Sequence, residues 1–93
     1  MLKSKFEDFL RKDPNIQSKE KAVATRVSKG SAIEKQLSKS LDQIVENEES
    51  MFDALKKINQ EMPNSNGGYS NALRKYYEFT NGRKFPKIRD YTP

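Results

Sequence analysis

Apolar residues recur along this chain every three or four positions, the spacing that lines one face of an α-helix. In LKSKFEDFLRKDP, Leu2, Phe6, Phe9 and Leu10 share such a face, and Pro14 predicts a stop after Asp13. NIQS reads as a short connection with Ile16 turned inward, and Ser18 as the cap of a second helix. Val23, Val27, Gly30, Ile33, Leu37 and Leu41 then form one stripe that passes Gly30 without a change of phase. The stripe predicts a continuous helix from about Lys19 to Lys39, with Gly30 on the buried side, where a missing side chain admits a close neighbour. A break at Gly30 is the rival reading, because Ser31 to Glu34 spells the Ser-x-x-Glu of a capping box.

SLDQIVEN predicts a short third helix with Leu41, Ile44 and Val45 inward and Ser40 and Gln43 as its capping pair. ESMFDALKKINQEM predicts a fourth, with Phe52, Leu55, Ile58 and Met62 inward and Ser50 as N-cap. PNSNGG, Pro63 to Gly68, is the clearest loop. YSNALRKYYEFTNG follows and holds three of the four tyrosines. Wound as a helix, it puts Tyr69, Ala72, Leu73, Tyr76, Tyr77, Phe79 and Thr80 on one broad face. Ser70, Asn71, Arg74, Lys75 and Glu78 fall on the other. Tyr69 and Tyr76 are expected in the core, while Tyr77, at the margin beside Arg74, is expected to be the more exposed. Asn66 or Ser65 can cap the start, and Gly82 suits the left-handed residue that ends the helix.

No segment alternates β-branched and polar residues as a strand does. The expected fold is therefore all-α, a compact bundle of four to five helices over residues 1–82. A basic tail with two prolines, residues 83–93, follows. It is either pinned to the bundle by Phe85, Ile88 and Tyr91 or serves as a linker to a following domain.

Composition narrows the chemistry. Only 33% of the 93 residues are hydrophobic and 33% are charged, so one domain with a thin core is expected. No cysteine is present, which excludes disulfides and thiol chemistry and fits a cytoplasmic protein. No apolar run is long enough to span a membrane. Histidine is absent too, which removes the usual general base and the commonest metal ligand. Glu46, Glu48, Glu49 and Asp53 cluster without the spacing of a metal loop and read as a solvated acidic edge. Ser28, Ser31, Ser38 and Ser40 have no nearby base to activate them. Asn66 to Gly68 lacks the Gly-Lys-Ser ending of a phosphate loop. No enzyme active site, metal, cofactor or small-molecule substrate is expected within this chain.

The net charge of +5 is unevenly placed. Residues 1–35 carry nine Lys/Arg and five acids, residues 36–65 three and six, and residues 66–93 six and two. The ends are basic and the middle acidic. If the first and fifth helices pack together, the basic ends form one positive surface, and such polarity steers a protein onto a polyanion.

The order of parts resembles a known module. FEDFL precedes a long helix with Thr25, Ser28, Ala32, Ile33 and Leu37, then the short Leu41-Asp42-Gln43-Ile44, a Phe/Leu helix, a loop and YSNALRKYYEF. Over about residues 6–82 this is similar to the core-binding, SAM-like N-terminal domain of tyrosine recombinases and integrases. It is more similar still to helical N-terminal modules that precede nuclease domains in some restriction endonucleases. The specific part is the last helix, through Tyr69, Ser70, Ala72, Leu73, Arg74, Lys75, Tyr76 and Phe79. The resemblance implies a bundle that clamps duplex DNA and leaves chemistry to a following domain. Lys29 departs from it, standing where such modules often carry an aromatic residue.

Two functions from different classes follow. In the first, the chain is a non-catalytic module that binds duplex DNA through phosphates. Its candidate contacts are Lys19, Lys21, Arg26 and Lys29 on the second helix, Arg74 and Lys75 on the fifth, and Arg83, Lys84, Lys87 and Arg89 on the tail. Arg26 and Arg74 are the preferred bidentate contacts, since guanidinium offers a planar fork. Arg74 and Lys75, on the polar face, are expected to be replaceable without loss of fold. In the second, the chain is an adaptor or regulator that docks on a larger protein, using the acidic middle from Asp42 to Asp53.

Overall fold

The computed structural model describes residues 1–16 and 19–87. Five helices follow in chain order: α1 (Lys3–Arg11), α2 (Lys19–Leu37), α3 (Leu41–Ile44), α4 (Glu48–Glu61) and α5 (Gly68–Asn81). Among the described residues there is no strand. The all-α bundle expected from the stripes is what forms.

The second helix is continuous through Gly30, and the Ser31 capping box does not form. Gly30 is buried, and a Cβ there would lie 3.1 Å from Leu41 Cδ1 and 3.4 Å from Met1 Sδ. The small residue thus admits the start of α3 rather than the body of another helix. α2 ends at Leu37, two residues before the expected Lys39. Ser38 adopts φ 55°, and the Lys39 N–H closes back on the Glu34 carbonyl at 3.3 Å. This is a left-handed helix stop built without the usual glycine, so no residue type announced it.

Three caps show how local chemistry sets the boundaries. Ser40 and Gln43 form the expected reciprocal box on α3. The cap of α4 is Asn47, whose side chain accepts from the Ser50 N–H at 2.8 Å; Ser50 is inside the helix. The buried face is also turned from the expected one: Met51, Ala54, Leu55 and Ile58 are buried, while Phe52 and Met62 are only half-buried. At α5 neither Asn66 nor Ser65 is the cap: Gly67 holds that position without a side chain, and Asn66, one residue earlier, accepts from the Gly68 N–H at 2.9 Å as an Asx turn. Asn64 does more, taking the Tyr69 and Ser70 N–H groups at 3.0 and 3.1 Å. Gly67 and Gly82 bracket the helix at φ 74° and 73°. The proposed Ser18 cap and the Ile88 and Tyr91 pins lie outside the described residues.

α5 is the central element. Leu73 and Tyr76 are fully buried. Phe6 of α1 meets Tyr76 edge-on at 4.9 Å between ring centres, and Phe9 meets Phe79 at 5.5 Å, so the first and fifth helices pack as expected. The Tyr76 hydroxyl accepts from the Leu2 N–H at 2.8 Å and donates to Asp42 at 2.5 Å, tying α1, α3 and α5 together. Leu2 itself is 51% exposed, because it stands before the first helical turn rather than on the stripe.

Tyr77 reverses its expectation and is 1% exposed. Phe85 folds back over it edge-on at 5.1 Å and is itself buried. The start of the tail therefore completes the core, and the margin of the α5 stripe lies beneath it. Tyr69 is half-buried rather than core, with the Lys29 ammonium 4.2 Å above its ring.

Candidate nucleic-acid interface

α2 lies along α5, with Lys29 meeting the start of α5 and Arg26 facing its middle. Between them opens a cleft of about 220 Å³. Arg26, Asn71, Arg74, Lys75 and Lys84 line it, with Glu78 as its single carboxylate and Phe85 at its edge. The i, i+3, i+4, i+7 spacing of Asn71, Arg74, Lys75 and Glu78 puts all four on one side of α5. A neighbouring depression of about 410 Å³ shares Lys75, Glu78 and Lys84 and adds Lys12 with Asp13 from the end of α1. Basic groups from the first and last parts of the chain thus converge beside α5.

The cations are not equally available. Lys75 bonds Asp13 at 2.5 Å and Glu78 at 3.3 Å. Its side chain is 20% exposed and that of Asp13 9%. The Lys75 hydrogen bond, joined by the Asn15 N–H, holds the Asp13 carboxyl below its ordinary value. Burial acts to lower the Lys75 ammonium, yet Asp13 and Glu78 together raise it. The Lys19 ammonium donates to the Asp13 carbonyl, closing the same knot.

Arg74 is committed differently. Its Nη1 donates to the Phe85 carbonyl at 3.0 Å and the Pro86 carbonyl at 3.1 Å. No carboxylate meets it among the described residues, and burial lowers its pKa from the ordinary value. Arg74 and Lys75 are therefore not free polar-face residues: one holds the tail onto α5, the other holds the end of α1. Their replacement removes structural contacts, contrary to the expectation from the helical wheel. A wheel shows which side chains share a face but not what later folds across them.

Arg26 is half-buried, and its Nε–H is buried with no hydrogen-bond acceptor among the described residues. Lys84 and Lys87 are exposed. Lys21 is exposed and lines none of these depressions. Arg83 bonds Glu48 of α4 at 3.0 Å and lies 5.5 Å from the Tyr77 ring centre. Arg89 lies outside the described residues. Of the sequence candidates, Arg26, Arg74, Lys75 and Lys84 share one cleft, Lys29 flanks it, and Lys19 braces it through Asp13.

Asn71 and Lys12 were not among the candidates. Asn71 was legible in the α5 spacing. Lys12 was not, because only the packing of α1 on α5 brings it to the depression that Lys84 also lines. Among the described residues no helix is long and apolar enough to cross a membrane, and no group of His, Cys, Asp or Glu is placed to hold a metal. No protein-family model, curated protein or solved structure shows significant similarity to this chain.

Proposed function

We propose that this chain is a non-catalytic helical module that holds duplex DNA by its phosphates along the α2–α5 seam. In this reading it is the kind of module that serves a DNA-processing enzyme. One observation carries it: four cations from α2, α5 and the tail surround a single open cleft that contains one carboxylate, already held by Lys75. Lys29 and Lys12 extend the positive strip to either side. A rigid bundle bearing such a strip suits backbone contact, which positions a duplex without reading its bases. Lys21, Arg83 and Lys87 contribute to the surrounding field rather than to the cleft.

Four to six phosphate contacts give a Kd of about 10⁻⁴ to 10⁻⁶ M at physiological salt for a non-specific binder. Affinity for random-sequence duplex should fall on the order of 10²–10³-fold between 50 and 200 mM salt. Fluorescence anisotropy at several salt concentrations measures this directly. A flat salt dependence, or no binding at low salt, overturns the reading.

A docking role on a larger protein has its own supporting feature. A depression of about 230 Å³ beside α3 and α4 combines Leu37, Ile44 and Ala54 with Glu49 and Asp53, and Lys39 and Lys57 line it too. It gains weight if duplex DNA fails to bind.

A further inference from the structure

A buried N–H without an acceptor costs free energy, and native proteins keep few of them. Arg26 Nε is such a donor. Arg26 stands on α2, and its side chain lines the cleft between α2 and α5. Across from it stand Arg74, whose Nη1 serves two tail carbonyls, and exposed Lys84. The carboxylate in the cleft, Glu78, lies 3.3 Å from Lys75 Nζ and makes no ion pair with either arginine. Asn71 adds a neutral amide to the lining.

We infer that this cleft is a built site for one phosphate group, cradled by the Arg26 guanidinium, Arg74 and Lys84, with the Arg26 Nε–H turning out of its buried position to donate to the bound oxygen. A phosphate oxygen supplies the acceptor that the described residues do not, and its charge offsets two guanidinium groups that meet no carboxylate among those residues. Phosphate suits the site better than a carboxylate, because three or more oxygens can accept from groups on three different walls at once. The volume of about 220 Å³ is far more than one water requires and admits a phosphoryl group with its ester oxygens. Phe85 gives the cleft an apolar edge. The inference deepens the proposed function: it turns a diffuse basic strip into one fixed anchor, through which a backbone phosphate sets the register of the duplex. A free phosphate would be recognised by the same groups.

The Arg26 side-chain ¹⁵Nε–¹Hε resonance reports on the site, identified as the cross-peak lost in Arg26→Lys. The probes are inorganic phosphate and a short random-sequence duplex, each added at low salt. Movement of this resonance with both supports the anchor and names DNA as the source of the phosphate. Movement with inorganic phosphate alone, with no resonance shifted by duplex, supports the site for free phosphate and overturns the DNA reading. Backbone shifts with duplex while Arg26 Nε stays still overturn the anchor and leave the DNA reading standing. Silence towards both probes overturns both. Arg26→Lys keeps the charge but loses the fork, so it should weaken phosphate binding about tenfold. Lys35→Ala, elsewhere on α2, should leave it unchanged. An equal loss in the two variants would reduce the site to general positive charge, and thermal melts of both confirm that the fold is intact.

Discussion

Lys75 and Arg26 line the same cleft, yet the fold treats them in opposite ways. Lys75 is enclosed by Asp13 and Glu78, and its charge is balanced within the molecule. Arg26 is set into the wall with a buried N–H that no acceptor meets among the described residues. The knot around Lys75 joins the end of α1 to α5 and contributes to stability. The Arg26 guanidinium makes no ion pair among the described residues and presents unbalanced charge to whatever enters. Net charge along a sequence cannot separate these roles, since both residues count equally. The geometry of the acids around each one does.

The strongest test concerns the ridge on which both regions stand. Leu73 is fully buried one residue before Arg74, so Leu73→Ala should cost about 2–5 kcal/mol. Both the knot and the cleft should loosen together, read as a lower Tm and loss of the Arg26 Nε resonance position. A Tm unchanged by this substitution would mean that α5 is not their common support.

A smaller loss is expected from Tyr76→Phe. It removes the hydroxyl that accepts from Leu2 N–H and donates to Asp42, at a cost of about 1–2 kcal/mol. Burial, then the Asp42 hydrogen bond, raises the Tyr76 hydroxyl pKa, so this phenol should stay un-ionised into alkaline solution. Loss of the high-pH phenolate absorbance step in Tyr76→Phe checks this. Binding of duplex should be unaltered, because Tyr76 lies on the far side of α5 from the cleft.

The knot itself is tested by acid. The folded Asp13 carboxyl is held below its ordinary 3.8, so protons bind the unfolded chain more readily. The stability from this pair is present in full above the ordinary value and is lost as pH falls through the folded one. Asp13→Asn should lower stability near neutrality by about 1 kcal/mol and make the acid limb of the Tm–pH profile shallower. Part of that limb should survive, since Asp42 is also held low, against the effect of burial, by its Tyr76 hydrogen bond. Lys75 gives the mirror effect: its stability is present below its ordinary 10.5 and is lost as pH rises through the folded value.

The smallest effect on stability should come from Arg26→Met. Met keeps the apolar stem and removes the unmet donor, so Tm should stay level or rise, within about 0.5 kcal/mol. A marked fall would show that Arg26 serves the fold as Lys75 does, and the contrast between them would disappear.

The helical rhythm was legible because burial of one stripe per helix leaves a period of 3.6 in the sequence. It located every element and carried α2 correctly through Gly30. Caps were legible where their chemistry is local, as at Ser40 and Gln43, and misplaced at α4, where Asn47 and Ser50 were both competent. The basic candidates were visible as residue types, and the α5 spacing already held Arg74 and Lys75 on one side.

What only tertiary structure decided was which of these groups have partners. Phe85 covers Tyr77 from across the Asn-Gly turn, so a residue at the margin of its stripe became core. The same return of the tail brings two carbonyls to Arg74. Asp13 reaches Lys75 across 62 positions of sequence, and no local pattern encodes a contact of that range. Helical periodicity is written by each segment's own burial and survives in the sequence alone. Charge pairing depends on the distance between segments, which exists only once the bundle has closed.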